Sequence, residues 1–132
     1  MHPTWLTNVA SAFSAFHVAT VELGVANQVT SFTASDFGGT RSGNSDGSDH
    51  GWGSMHFIAG GSVNGQRFYG TPPVVTNNGP DGVGRRRRLC RTSVDQYAAT
   101  LGQWFGASDT DLLTLLPNLA NHGASARNLK FV

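Results

Sequence analysis

Residues 25–39, V-A-N-Q-V-T-S-F-T-A-S-D-F-G-G, are the stretch that decides the predicted fold. Residues 25–34 place Val29 and Phe32 among threonines and serines, a composition typical of a β-strand. The strand leads into a polar, glycine-rich loop that extends over residues 38–53. Ligand sites of α/β proteins form where the carboxyl end of a strand opens into such a loop. The sequence therefore predicts an α/β fold with a site at the end of this strand.

Helices are predicted on both sides of this strand along the chain. Residues 4–23 place apolar side chains at helical spacing, and Gly24 stands where a helix C-cap is expected. A serine followed three residues later by a glutamine forms a capping box at the start of a predicted helix over residues 93–106. Another short capped helix is predicted over residues 108–117, and a last edge strand over residues 127–132.

A β-hairpin is predicted around Asn64-Gly65, because this dipeptide between two apolar runs is a strong hairpin signal. Its strands would be residues 56–61 and 66–70, which places His56 close to the preceding loop. Residues 71–84 are rich in Pro, Asn and Gly and predict an irregular connector.

The length predicts a single domain over residues 1–132 with one core. The single cysteine, Cys90, cannot form an internal disulfide, so the sequence does not fix the redox compartment. No run approaches the roughly 18 apolar residues of a membrane span, and residues 1–5 lack the basic and apolar regions of a signal peptide. The sequence thus predicts no membrane partner and leaves the localisation open.

The net charge of +1 hides an uneven distribution, since five of the nine basic residues are Arg85–Arg88 and Arg91. No aromatic residues interleave this run and no nucleic-acid motif accompanies it, so a solvated basic loop is favoured over a nucleic-acid contact. In a further interpretation, Arg85 in this run and Arg41 in the glycine-rich loop bind the anionic group of a small substrate.

The glycine-rich loop ends in D-H-G-W-G at positions 49–53, with His56 close behind. Carboxylate oxygens and neutral imidazole nitrogens are accepted ligands of zinc and manganese. Chain geometry allows Asp36, Asp49, His50 and His56 to converge on such an ion, with a position left open for water or an ester oxygen. In the alternative interpretation the loop is a solvated connection, the aspartates cap turns, and His56 pairs across the hairpin.

Two other kinds of site are disfavoured. Residues 44–49 are rich in oxygen ligands, but the glutamate that closes a calcium loop is missing, since Glu22 is the only glutamate. Ser35 and Ser48 lack the Gly-x-Ser-x-Gly context of the familiar esterases, so no serine triad is predicted.

Five segments follow one another in a recognisable order: Phe32–Gly38, Asp46–Gly53, Gly60–Gly70, Thr92–Leu101 and Trp104–Gly106. Together they resemble the C-terminal part of an exported bacterial family called domain of unknown function 1501, which is placed with the alkaline phosphatases and sulfatases. The resemblance covers nearly the whole chain. It implies a small fragment of an α/β/α sandwich, with an N-terminal helix, a short sheet with a hairpin, and C-terminal helices.

The resemblance also implies roles for individual residues. Residues 35–38 stand where sulfatases carry a metal-binding Ser-Asp-His-Gly, so Asp36 would be a ligand, followed here by phenylalanine instead of histidine. Asp49 and His50 would lie in the later loop that returns a ligand to the metal, and Gly39 replaces an arginine that family members usually have. Family members are several times longer, carry the nucleophile and first ligands in their N-terminal half, and are generally exported by the twin-arginine route.

Three functions are therefore expected in order of preference. The first is a metal-dependent hydrolase that cleaves an ester in a small or polymeric substrate, with Asp36, Asp49 and His50 as ligands of zinc or manganese. His56 would be a fourth ligand or general base, and His50 and His56 are the candidate catalytic residues. The second is a non-catalytic domain that binds a partner or forms a homodimer. The third is nucleic-acid binding through Arg85–Arg88.

Overall fold

A computed structural model describes residues 2–43, 48–74, 76, 79–84 and 87–132 of the chain. One long helix, four short antiparallel strands and two shorter helices follow one another along the described part of the chain, which confirms a small α/β fold. The helices are α1 (His2–Glu22), α2 (Val94–Trp104) and α3 (Asp109–Leu115), and the strands are β1 (Thr30–Phe32), β2 (Gly38–Gly43), β3 (Ser48–Gly51) and β4 (Ile58–Gly60). Short 3-10 turns cover Ala26–Gln28, Pro117–Asn121 and Ala124–Ala126.

The described strands form two antiparallel pairs. β1 pairs with β4, with Thr30 opposite Gly60 and Phe32 opposite Ile58. β2 pairs with β3 as a hairpin, with Gly39 opposite His50, and the register shifts between Gly39 and Gly43. The polar segment after β1, predicted as a loop, is therefore largely strand, because its glycines permit close backbone pairing.

The contacts group the chain into two compact units. The first consists of residues 1–63 and 73–90, and the second of residues 64–72 and 91–132. In the first unit, α1 ends where Gly24 adopts a positive φ of 72°, as the sequence predicts for a C-cap. The backbone then turns into β1, with the Gly61 amide donating to the carbonyl of Ala26 at 2.9 Å.

The second unit has a small apolar core between its helices. Ala99, Leu112 and Leu119 are buried together, and Phe131 is fully buried. The predicted capping box at the start of α2 is confirmed, since Ser93 accepts from the Gln96 amide. A second capping box, between Ser108 and Asp111, starts α3. These local signals fix both helices where the sequence predicts them.

The predicted hairpin at Asn64-Gly65 is wrong. β4 pairs with β1, and residues 66–70 form no strand. Asn64 instead donates through its backbone amide to the carbonyl of Phe131 at 2.9 Å, and accepts at its own carbonyl from the Tyr69 hydroxyl at 2.6 Å. The turn preference of the dipeptide is outweighed here by bonds to a segment more than sixty residues away.

The predicted edge strand over residues 127–132 is also wrong. This segment forms no strand, and side chains bond part of its backbone. The Leu129 amide donates to the Thr100 hydroxyl at 2.8 Å, and the Lys130 amide to the Asn128 side chain at 2.7 Å. Lys130 has a positive φ of 61°, which interrupts regular strand geometry.

The partly buried Tyr97 on α2 makes the second unit less stable at alkaline pH. Its ring lies 5.6 Å from that of Phe131, and burial raises the pKa of Tyr97 from 10.0 to about 12. The folded chain therefore holds the Tyr97 hydroxyl proton more tightly than the unfolded chain. The contribution of this group to the free energy of unfolding is complete below pH 10 and is lost as the pH rises towards 12. We expect Tyr97→Phe to flatten the fall in unfolding free energy over this window in urea titrations. An unchanged slope in the variant would contradict this.

Candidate functional site

Close contact between two backbone segments explains the glycines around the D-H-G-W-G sequence. A methyl group on Gly38 would overlap the carbonyl oxygen of Gly53. A methyl group on Gly51 would lie 2.8 Å from the carbonyl oxygen of Gly39. Glycine is required at these positions so that β2 and β3 can pair and so that the backbone at Gly53 can lie directly against Gly38. The glycines thus place Asp49 and His50 on a tightly packed hairpin.

His50 is held by an aromatic contact at the end of the segment that follows β1. The imidazole of His50 stacks on the ring of Phe37, with centroids 3.9 Å apart and planes inclined by 24°. Both side chains are exposed, so the stack orients the imidazole without removing it from solvent. Phe37 thus contacts one of the two candidate histidines directly.

His56 is held at the beginning of the same segment. Its Nδ1 lies 3.3 Å from the Thr33 hydroxyl, which also accepts a hydrogen bond from the Phe57 amide at 2.9 Å. In the tautomer with a proton on Nδ1, His56 donates to Thr33 and carries its lone pair on Nε2. That is the form in which a histidine binds a metal or acts as a general base.

Residues 33–37 therefore connect the two histidines. Thr33 contacts His56, Phe37 contacts His50, and the exposed Asp36 lies between them. Four residue steps span at most about 14 Å. These two contacts place His56 and His50 beside the segment that follows β1, and Asp36 belongs to that segment.

Asp49 is placed differently from His50. The two are consecutive in β3, and consecutive side chains of a strand point to opposite faces. Asp49 is exposed, as are Asp36, His50 and His56. Among the described residues, no group of three or more His, Cys, Asp and Glu side chains is arranged to hold a metal ion. The predicted ligand set of Asp36, Asp49 and His50 therefore stays a prediction.

The predicted substrate contacts of Arg41 and Arg85 stay predictions. Arg85 lies outside the described residues, and Arg41 belongs to β2. In the rest of the run, Arg88 forms an antiparallel bridge with Gly82, and its guanidinium donates to the Thr76 carbonyl at 2.7 Å. Arg87 and Arg88 are partly buried. The contacts of Arg88 therefore stabilise the local loop structure.

Two residues near the candidate site were not indicated by the sequence. Thr33 bonds both His56 and Phe57, and the thiol of Cys90 donates to the Trp52 carbonyl at 3.5 Å. Cys90 also fills the space that a side chain on Gly53 would occupy. These pairs are separated by more than twenty residues in the sequence, and no local pattern encodes them.

The comparisons with known proteins assign the chain to a family. Over the described residues, no helix is both long enough and apolar enough to span a bilayer. Neither the curated proteins nor the solved structures gave a match. One family model matches residues 1–117, which is most of the chain and includes every strand. The chain therefore belongs to the family described as protein of unknown function, DUF1501.

Proposed function

We propose that the chain contributes to the site of a metal-dependent hydrolase that cleaves an ester or a related bond. One observation supports this most directly. Both candidate histidines contact the same five-residue segment, residues 33–37, and that segment contains Asp36. Two imidazoles and a carboxylate at the end of a strand are a donor set that suits zinc or manganese.

Each residue has a proposed role. Asp36 and His50 bind the ion, and the ring of Phe37 fixes the orientation of the His50 imidazole. Asp49, on the opposite face of β3, is a ligand only if the strand distorts at this point. A bound divalent ion would polarise the ester and acidify a bound water. His56 would be the general base, with Nε2 as the proton acceptor in the tautomer in which its Nδ1–H donates to Thr33.

The remaining proposed contacts concern the substrate. Arg41 in β2 and Arg85 in the arginine run would bind an anionic group of the substrate through charge-assisted hydrogen bonds. The substrate class is an ester, small or polymeric. The first activity screen would therefore compare phosphate, sulfate and carboxylate esters of one chromogenic alcohol, with and without added zinc or manganese.

The decisive experiment measures bound metal by plasma mass spectrometry after loading with zinc or manganese and desalting. We expect about one ion per chain in the unmodified protein and a loss of at least tenfold in affinity in His50→Ala, because one imidazole ligand is removed. His17→Ala is the matched control, since His17 lies on α1 and is not one of the candidate ligands. It should retain the ion.

A comparison of Asp49→Asn with Asp36→Asn refines the ligand set. If the ion is bound on the His50 face of β3, Asp36→Asn lowers the affinity and Asp49→Asn does not. An equal loss in His50→Ala and His17→Ala, or no bound ion in the unmodified protein, would overturn the proposal.

A further inference from the structure

The helix α1 presents a regular row of apolar side chains to solvent. An apolar, exposed residue recurs every three or four positions, and we call this row the α1 seam: Trp5, Val9, Ala12, Phe16 and Ala19 on α1, and Leu23 directly after it. The spacing alternates strictly between four and three residues, which is the pattern of the contact positions in a two-helix coiled coil. Trp5 is 64% exposed and Phe16 is 53% exposed.

The seam is distinct from the face by which α1 packs on its own unit. Among the described side chains of α1, those that are at least partly buried are Phe13, His17 and Thr20. On a helix with 3.6 residues per turn these three lie beside the seam and not within it. The large side chains of the seam are therefore largely left to solvent.

We propose that the α1 seam binds the α1 seam of a second copy of the chain, with the two helices antiparallel. A two-fold axis at the level of residue 14 places Val9 opposite Ala19 of the second copy, and Ala12 opposite its Phe16. Each large side chain of these pairs then faces a small one, and Trp5 faces Leu23 at both ends. The seam is thus complementary to itself, as an isologous interface requires.

Charge favours the same arrangement. Glu22, the last residue of α1, is its only Asp, Glu, Lys or Arg residue, and its first turn contains no acidic side chain. No like charges therefore oppose pairing. In the antiparallel register Glu22 comes beside the first turn of the other helix, where a carboxylate stabilises the exposed amide groups. Antiparallel helices also align their dipoles favourably.

The size of the contact sets the expected affinity. The 21 residues of α1 form a helix about 31 Å long. Pairing along this length buries on the order of 600 Å² per copy, at the lower end of the range for specific interfaces. We therefore expect a dimer with a dissociation constant in roughly the micromolar range.

Analytical ultracentrifugation of the whole chain between about 1 and 100 µM tests this. Phe16→Glu should weaken the dimer at least tenfold, because it places a charge within the seam. Val18→Glu is the matched control: Val18 is 52% exposed on the same helix but on the opposite face, so this variant should dimerise like the unmodified chain. Far-UV circular dichroism checks that both variants keep their helices.

A charge-pair rescue tests the register. Val9→Lys and Ala19→Glu should each abolish the dimer, and the double variant should restore it, since the new charges face each other only in the antiparallel pairing. A monomer at 100 µM in the unmodified chain, or equal effects of Phe16→Glu and Val18→Glu, would overturn the proposal. A double variant that stays monomeric would overturn the antiparallel register. None of these outcomes depends on metal binding.

Discussion

Phe131→Ala is expected to destabilise the second unit by about 3–5 kcal/mol, the cost of emptying a fully buried phenylalanine site. Phe131 is 0% exposed, and its ring packs against Tyr69 and Tyr97 with centroids 5.9 and 5.6 Å away. Its carbonyl also accepts from the Asn64 amide. Since a unit of roughly fifty residues has only about 3–8 kcal/mol of stability, we expect the variant to be largely unfolded there.

Amide hydrogen exchange of α2 measures this loss directly, because α2 belongs to the second unit. The matched control is Phe105→Ala, the same substitution in the same unit at a side chain that is 87% exposed. It should change the stability by no more than about 0.5 kcal/mol. Similar exchange rates in the two variants would show that burial of the Phe131 side chain does not stabilise the second unit.

Gly38→Ala is expected to cost about 3 kcal/mol and to open the hairpin of β2 and β3. The added methyl group would overlap the backbone carbonyl of Gly53, and a backbone atom cannot rotate away as a flexible side chain can. The pairing of Gly38 with Gly51 would be lost first. Faster exchange of the β3 amides, together with weaker metal binding at His50, would report the change.

Gly123→Ala provides the control for this substitution. Gly123 has a φ of −57°, and an added methyl group there meets nothing within 4 Å. Its replacement should leave the stability unchanged or raise it slightly, because alanine restricts the unfolded chain. If Gly38→Ala were as harmless as Gly123→Ala, close backbone packing would not be the reason for the glycines of the hairpin.

The helices could be predicted from the sequence because their signals are local. The capping box of Ser93 and Gln96 and the positive-φ glycine at position 24 each act within a few residues. A helix formed by such contacts needs no information from distant parts of the chain. The predicted boundaries of α1 and α2 therefore agree with the structure to within about two residues.

The sheet could be predicted only in part, because its pairings are not local. Asn64-Gly65 carries a hairpin signal, yet β4 pairs with β1 about thirty residues earlier. The composition around Gly38 suggested a loop, since polar residues and glycine are poor strand formers, but close pairing with Gly51 outweighs that preference. For the candidate site, the sequence indicated which residue types could bind a metal. It did not indicate that Thr33 contacts His56 or that Phe37 contacts His50.

The division into two units determines the order in which their residues become available during translation. Residues 64–72 are made before residues 91–132, with which they form one unit. Tyr69 must wait for 62 further residues before its partner Phe131 exists, which at about 5–20 residues per second takes roughly 3–12 s. The first unit has all its residues once position 90 is reached. Once residue 90 has emerged from the ribosome, the chain carries all residues of the first unit while residues 64–72 still lack their later partners, and a short protease pulse should cut there first.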